Sequence, residues 1–379
     1  MTAKSSAPAK RRQFLKNTAV GATGAAALAA PMISTAQPVT FRFQSTWPAK
    51  DIFHEYANDF AKKVNDMAGG RLKIEVLPSG SVVPAFQLLD AVNKGTLDGG
   101  HGVLAYHYPK SNALALWGSG PAFGMDPNMV LAWHYYGGGK AILEEIYKSL
   151  NIDVVSFIYG PMPTQPLGWF KKPIAKVEDL KGLKYRTVGL AVDIFTELGA
   201  AVNPLPGSEV VPALDRGLID AAEFNNATSD RILGFADVVK NCMLQSFHQS
   251  GEQFEILFNK AKYDALPAEL KSVIDYAVQA SSSDMSWKAI ERNSLDYIEL
   301  KKAGVKFYKT PDAILRAQLD VWDKVIDKKA GENPVFKKVL DSQKEFAKRA
   351  GGWQNDYMVD FKIAYNHYFA AKKVAPKKA

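Results

Sequence analysis

The chain writes one short pattern twice, and that repetition limits what it can fold into. Aligned at Ala91 and Ala213, "AVNKGTLDGG" and "ALDRGLIDAA" both read apolar pair, Asn or Asp, basic residue, Gly, two residues, Asp, two small residues. This is the grammar of a helix closing and a strand opening. Lys94 or Arg216 stands in a last helical turn, where a cation complements the helix dipole. Gly95 or Gly217 takes the left-handed cap, and the small residues after Asp98 or Asp220 allow tight packing against a neighbouring helix. Similar approaches, "LPSGSVVPA" and "LPGSEVVPA", precede both copies. Two related α/β lobes are therefore expected. Only the second copy runs on into Glu223-Phe224-Asn225-Asn226.

The flanking segments agree. "VTFRFQSTW" reads as a strand, and Phe53, Tyr56, Ala57, Phe60, Val64 and Met67 recur at helical spacing until Gly69-Gly70. "RLKIEVLP" is a second strand, a helix spans about 86–94, and a short strand lies near 99–104. This β-α-β-α-β opening favours a parallel sheet with covering helices. "VVSFIYG", "QPLGWF" and "GLKYRT" are strand-like, and a helix over 190–198 ends at Gly199. Past Lys260 the chain turns helical, interrupted by "VKFYKT". The organisation expected is a leader over 1–36, a first lobe over 37–160, a second over 161–250, a return to the first lobe with lobe-spanning helices over 251–345, and a C-terminal helix over 346–379. On that last segment Trp353, Tyr357, Phe361, Tyr365, Tyr368 and Phe369 make an aromatic stripe with little chain left to cover it. A homodimer through this helix is the expectation.

The first residues read as a twin-arginine-type export signal. Arg11-Arg12 are followed by Phe14-Leu15, an Ala/Gly run and the small residues Ser34-Thr35-Ala36, which place cleavage near Ala36 and the mature chain in the periplasm. Ala and Gly are too weakly apolar to favour a membrane anchor. The leader also corrects the charge: five basic residues and no acid leave with it, taking the net from +8 to about +3. The tail lysines 372, 373, 377 and 378 supply the remainder, so the body is near neutral and no nucleic-acid partner is indicated. Cys242 is the sole cysteine, which excludes an internal disulfide or a zinc cluster. There is no Gly-x-Ser-x-Gly elbow and no complete Walker loop; "GGGKA" reads as a turn feeding a helix. His248 and Glu252 are four apart, but Gly251 between them argues against a metal-binding helix. No nucleophile has an evident base beside it.

"VEDLKGLKYRTVG" (Val177–Gly189) resembles the corresponding segment of the solute-binding proteins of tripartite ATP-independent periplasmic (TRAP) transporters. The Phe-Arg-Phe opening strand, "GGRLKIEVLPSG", both echoes and the helical C-terminal third extend the resemblance over the mature chain. It implies a two-lobe periplasmic-binding-protein fold of class α/β, with mixed, mostly parallel sheets, a hinge and a helical C-terminal extension. It also implies that Arg186 receives the ligand carboxylate, a task suited to a planar guanidinium that never deprotonates. The branch binding 2-oxo and 2-hydroxy acids such as pyruvate looks closest, and those proteins hold the ligand partly through a cation. Carried across, the cation ligands are Gln165, Glu223 and the Phe224 carbonyl, with Glu252 fourth and Gln253 or Gln249 behind it. Many relatives have Trp where Phe224 stands, a change that a backbone ligand survives. Oxygen-only ligation implies a hard cation, Ca²⁺ or Na⁺.

Tyr106, or Tyr108 beside it, takes the place of a phenol presented to the acid. Asn225 and Asn226 offer amides to the ligand or cap the helix starting near Thr228. Trp169 either walls the pocket or packs in the core. The function implied is that of a non-enzymatic receptor that closes on a small carboxylate and hands it to membrane permease subunits. A cation-independent carboxylate binder of the same transporter class is the first rival. An exported metal-dependent enzyme acting on oxo acids is the second.

Overall fold

The computed structural model describes residues 38–370. The export signal, its cleavage site near Ala36 and the Lys-rich tail lie outside the described residues. Among the described residues no helix is long and apolar enough to cross a membrane.

Eleven strands form two sheets among these residues. The first contains β1 (Val39–Ser45), β2 (Leu72–Leu77), β3 (Gly99–Gly102), β4 (Val154–Pro161) and β10 (Gln253–Asn259), in the order β2-β1-β3-β10-β4. The second contains β5 (Gly168–Phe170), β6 (Lys184–Arg186), β7 (Ala201–Val202), β8 (Ala221–Ala222), β9 (Asn241–Leu244) and β11 (Lys306–Lys309), in the order β11-β9-β5-β8-β6-β7. Both sheets are mixed. In the first, β1 pairs parallel with β2 and β3, and β10 runs antiparallel between β3 and β4. In the second, β6 pairs parallel with β7 and β8, and β5 runs antiparallel between β8 and β9. The order β2-β1-β3-β10-β4 thus maps strand for strand onto β7-β6-β8-β5-β9. The repeated pattern falls at equivalent places, just before β3 and β8.

Each element of that pattern has a physical task. Gly95 and Gly217 adopt φ of +74° and +70°, the left-handed conformation that Gly takes at least cost. The Asp98 N–H donates to the Arg42 carbonyl (3.0 Å) while its carboxylate accepts from the Arg42 N–H (2.7 Å). Asp220 does the same to Lys184, at 2.7 Å and 3.4 Å. The aspartate therefore staples the incoming strand to its parallel neighbour. The small residues after it are required: a Cβ at Gly99 would lie 2.1 Å from the Phe43 ring, and one at Gly100 2.8 Å from Leu88.

The helical third connects the two sheets. The helix Ala268–Lys302 packs on β4, on the helix Ile52–Met67 beside the first sheet, and on Ala227–Leu233 beside the second. The C-terminal region departs from a single helix starting near 346. Asn333 caps a helix running Pro334–Tyr357 by accepting from the Val335 and Phe336 N–H groups, with Pro334 in the first turn where its missing donor costs nothing. The chain then breaks at 358–360, and a short helix Phe361–Phe369 follows with Asp360 as its cap. The stripe residues Trp353, Tyr357, Phe361, Tyr365, Tyr368 and Phe369 all stay exposed, by 58% to 78%.

Candidate functional site

Two chain segments pass between the sheets side by side. The β4–β5 connection (162–167) and the β9–β10 connection (245–252) are joined where the Met162 N–H donates to the Glu252 carbonyl (2.9 Å) and the Gln165 N–H to the Gln249 carbonyl (3.3 Å). These crossings carry Gln165, Gln249 and Glu252. The end of β6 brings Arg186, the exit of β8 brings Glu223, Phe224 and Asn225, and the first sheet brings Trp47 after β1 and Tyr106 after β3. All of them line one enclosed cavity of about 20 Å³. The placement follows the general rule that open α/β sheets bind ligands beyond the carboxyl ends of their strands. Every polar group on this wall is at least nine-tenths buried.

Arg186 dominates the electrostatics. Its Nε and Nη2 donate to the Leu205 carbonyl (2.8 and 2.7 Å), and its Nη1 donates to the Glu223 carbonyl (3.0 Å) and to Glu223 Oε1 (2.8 Å). The Phe224 ring lies beneath the guanidinium, 5.7 Å from its centre, and Gly207 makes room for that ring, since a Cβ there would come within 2.5 Å of it. An arginine held this way is pre-oriented, and a carboxylate that replaces Glu223 Oε1 meets it without further ordering.

Two carboxylates face this one guanidinium, so the fixed charges sum to −1 with both ionised. Burial raises the pKa of Glu223 against the opposing pull of Arg186. Burial pushes Glu252 up to about 8, with the Glu223 charge adding to the rise and Arg186, Gln165 and Gln249 opposing it. Gln165 Nε2 and Gln249 Nε2 both donate to Glu252 (2.9 and 3.3 Å), which turns their oxygens the other way. Gln165 Oε1, Gln249 Oε1 and Glu223 Oε2 are buried without any hydrogen-bond partner. Orphaned oxygens of this kind are costly to leave unsatisfied. Here they share one cavity with two carboxyl groups that a bound cation would hold in their ionised form, and such an all-oxygen donor set fits a hard cation and suits no soft one.

The remaining expected residues divide. Tyr106 lines the cavity, and its phenol is pushed up to about 12, chiefly by burial, so it stays a neutral donor. Asn225 lines it as well, its amide nitrogen turned to Met162 Sδ (3.1 Å). Asn226 does not reach the cavity. It caps the helix Ala227–Leu233 by accepting from the Ser229 N–H (2.9 Å), which is the other role its position allowed. Trp169 does not wall the ligand space either; it is fully buried in the core and donates to Asp230 (2.7 Å). Gln253 points away, donating to the Gly251 and Pro127 carbonyls.

Sequence reading missed the apolar wall of Trp47, Phe53, Val103, Met162 and Val188. Two signals were available: Trp47 closes the first strand at its carboxyl end, and Val188 follows Arg186 by two. Trp47 is fixed by a relay in which its Nε1 donates to His101 Nδ1 (2.7 Å) and His101 Nε2 contacts the Tyr159 hydroxyl (2.6 Å). Burial holds His101 down to about 3, so the relay carries no charge.

Two polar clasps join the lobes outside the cavity. Ser229 Oγ donates to Asp51 Oδ1 (2.7 Å), linking the first turns of helices from opposite lobes. Tyr108, after β3, donates to Asp193 of the helix Ala191–Glu197 (2.7 Å), and Lys329 binds both, at 2.9 Å each.

Comparison with known proteins matches residues 43–332 to the DctP family, described as bacterial extracellular solute-binding protein, family 7. A monocarboxylate 2-oxoacid-binding periplasmic protein of Nostoc sp. is 33% identical over 350 residues, covering 91% of this chain and 95% of the relative. A TRAP transporter solute-binding protein of Bordetella bronchiseptica, solved as a mixed-occupancy dimer with copurified calcium and picolinate, superposes with a TM-score of 0.82 at 28% identity, over 87% of this chain and 97% of the other. One from Pseudoalteromonas atlantica, with bound sodium and pyruvate, superposes at 0.80 and 29% identity over 88% and 99%.

Proposed function

Because the chain belongs to family 7 of the bacterial extracellular solute-binding proteins and is a TRAP-type receptor and no enzyme, we propose that its ligand is a short 2-oxo monocarboxylate such as pyruvate. The observation that carries this reading is the meeting of Arg186 with the unpartnered oxygens of Gln165, Glu223 and Gln249 in one buried cavity. Gln165, Glu223, the Phe224 carbonyl and Glu252 would hold a Ca²⁺ or Na⁺ ion, with Gln249 beside them, and the ion supplies a second positive charge opposite Arg186. Arg186 receives one carboxylate oxygen, the Tyr106 phenol donates a hydrogen bond, and Trp47, Phe53 and Val103 exclude water around the short tail. The cavity holds about 20 Å³, room for roughly one water, so the lobes must part before an organic anion can come in.

An acid lacking the neighbouring oxo or hydroxy oxygen gives up one anchor. Sites built around such a polar group reject the analogue without it strongly. Calorimetric titration is expected to show pyruvate binding at least about tenfold more tightly than propionate, with lactate between them. Equal affinities for pyruvate and propionate would point to the cation-independent carboxylate binder instead.

The receptor is placed in the periplasm by a leader cleaved near Ala36, and it delivers its ligand to the membrane permease of its transporter. It works as a homodimer through the C-terminal aromatic stripe. Support for the dimer is the exposure of Trp353, Tyr357, Phe361, Tyr365, Tyr368 and Phe369 on two successive helices, since clustered large aromatics left in water mark interaction surfaces. Removing the chain from Gly351 onward is expected to convert the sedimenting species to a monomer with pyruvate binding retained. A truncated chain that still sediments as a dimer rejects the interface.

A further inference from the structure

We propose that Val188, together with the Tyr106 ring, is the wall that sets how long a 2-oxo acid this chain accepts; the inference rests on the oxo-acid reading above. Behind the ligand cavity lies a second space of about 80 Å³, bounded by Phe86, Ala105, Tyr108, Val192 and Pro204 and open to the surface where Phe86 and Pro204 are exposed. Tyr106 and Val188 line both spaces, and no other residue does. This annex is apolar apart from the Tyr108 hydroxyl, which is already engaged by Asp193 and Lys329.

Val188 stands two residues beyond Arg186 on the chain leaving β6, and both side chains face the ligand cavity, as the two-residue alternation of extended chain provides. An acid gripped by Arg186 therefore has Val188 beside it. The Tyr106 ring packs edge-on against Phe86, at 4.8 Å between centres, on the annex side. Val188 is the thinner half of the partition. With only about 20 Å³ on the ligand side, each further methylene of a longer acid is driven against it. The annex has several times the space that one water needs, enough to receive such a tail once the valine branches are gone.

The test compares pyruvate with 2-oxohexanoate, which adds three methylenes, by calorimetry on the full chain. The unaltered protein favours pyruvate. In Val188→Ala the ratio of the two affinities shifts toward 2-oxohexanoate by at least about tenfold, on a scale of about fourfold per newly buried methylene. Adding Val192→Phe, on the far wall of the annex, refills the space and returns the ratio toward its starting value. Should Val188→Ala fail to fold, Val188→Ile thickens the wall and moves the ratio further toward pyruvate. A ratio unchanged in the folded variants, with pyruvate still bound, overturns the wall assignment alone. An unaltered protein that binds neither acid removes the oxo-acid reading, and the wall falls with it.

Discussion

Arg186→Ala is expected to weaken pyruvate binding by at least about a thousandfold, the scale of removing one partner from a fully desolvated, charge-assisted contact. The same change leaves the Glu223 carboxylate buried without its guanidinium. Breaking a buried pair in this way costs about 3–5 kcal/mol of stability, partly relieved when Glu223, already displaced toward its neutral form by burial, takes a proton. Loss of binding in the alanine variant must therefore be read beside its melting temperature. Arg186→Lys separates the two effects. It keeps a charge next to Glu223 and should remain folded, yet it cannot present the planar fork, and its affinity is expected to fall about a hundredfold. Near-native calorimetric affinity in a folded Arg186→Lys or Arg186→Ala protein would remove Arg186 from the ligand contact.

Glu223→Gln is expected to empty the cation site. The substitution preserves the shape of the side chain but removes one of the two acidic groups in a donor set otherwise made of neutral amides and a carbonyl. A hard cation held by so few charges depends steeply on each of them. After dialysis, elemental analysis should find the cation retained by the native protein and absent from the variant, and pyruvate affinity should fall by about a hundredfold or more. The buried Arg186 guanidinium then keeps the Leu205 carbonyl, the residue 223 carbonyl and the new amide oxygen as acceptors but loses its carboxylate partner, so a modest loss of stability accompanies the change. Cation content equal to that of the native protein would reject the cage and leave the anion to Arg186 alone.

Much of the architecture was legible because it is written in local chemistry. Helix closure at Gly95 and Gly217 and the strand signals of "VTFRFQS" and "GLKYR" reappear at the expected places. What stayed hidden was non-local. β10 carries Glu255 in the middle of "QFEILFN", so it shows no alternation, and only the fold reveals that His107, Tyr147 and Ser156 converge on that carboxylate and satisfy it. The double role of Asp98 and Asp220, as strand openers and as staples to a parallel neighbour, needed the pairing to be seen.

The site divides along the same line. Arg186 ends β6 and Glu223 follows β8, the parallel strand beside it; the binding roles expected of both came from the family resemblance. Gln165 and Gln249 meet only because two connections cross between the sheets in contact. For Trp169 and Asn226 the sequence left two roles open, and the fold shows the structural one of each. A tryptophan or an asparagine beside a site has a structural use at least as common as a binding one, and sequence spacing does not say which way a side chain turns.

The side chains of the clasps at the rim, Asp51 with Ser229 and Tyr108 with Asp193 and Lys329, do not line the ligand cavity. Strength of recognition and ease of release thus rest largely on different side chains, joined at one point where Asp51 also accepts from the Phe53 N–H in the cavity wall. A docking partner that loosened the rim could discharge the cargo while every recognising side chain stayed where it was.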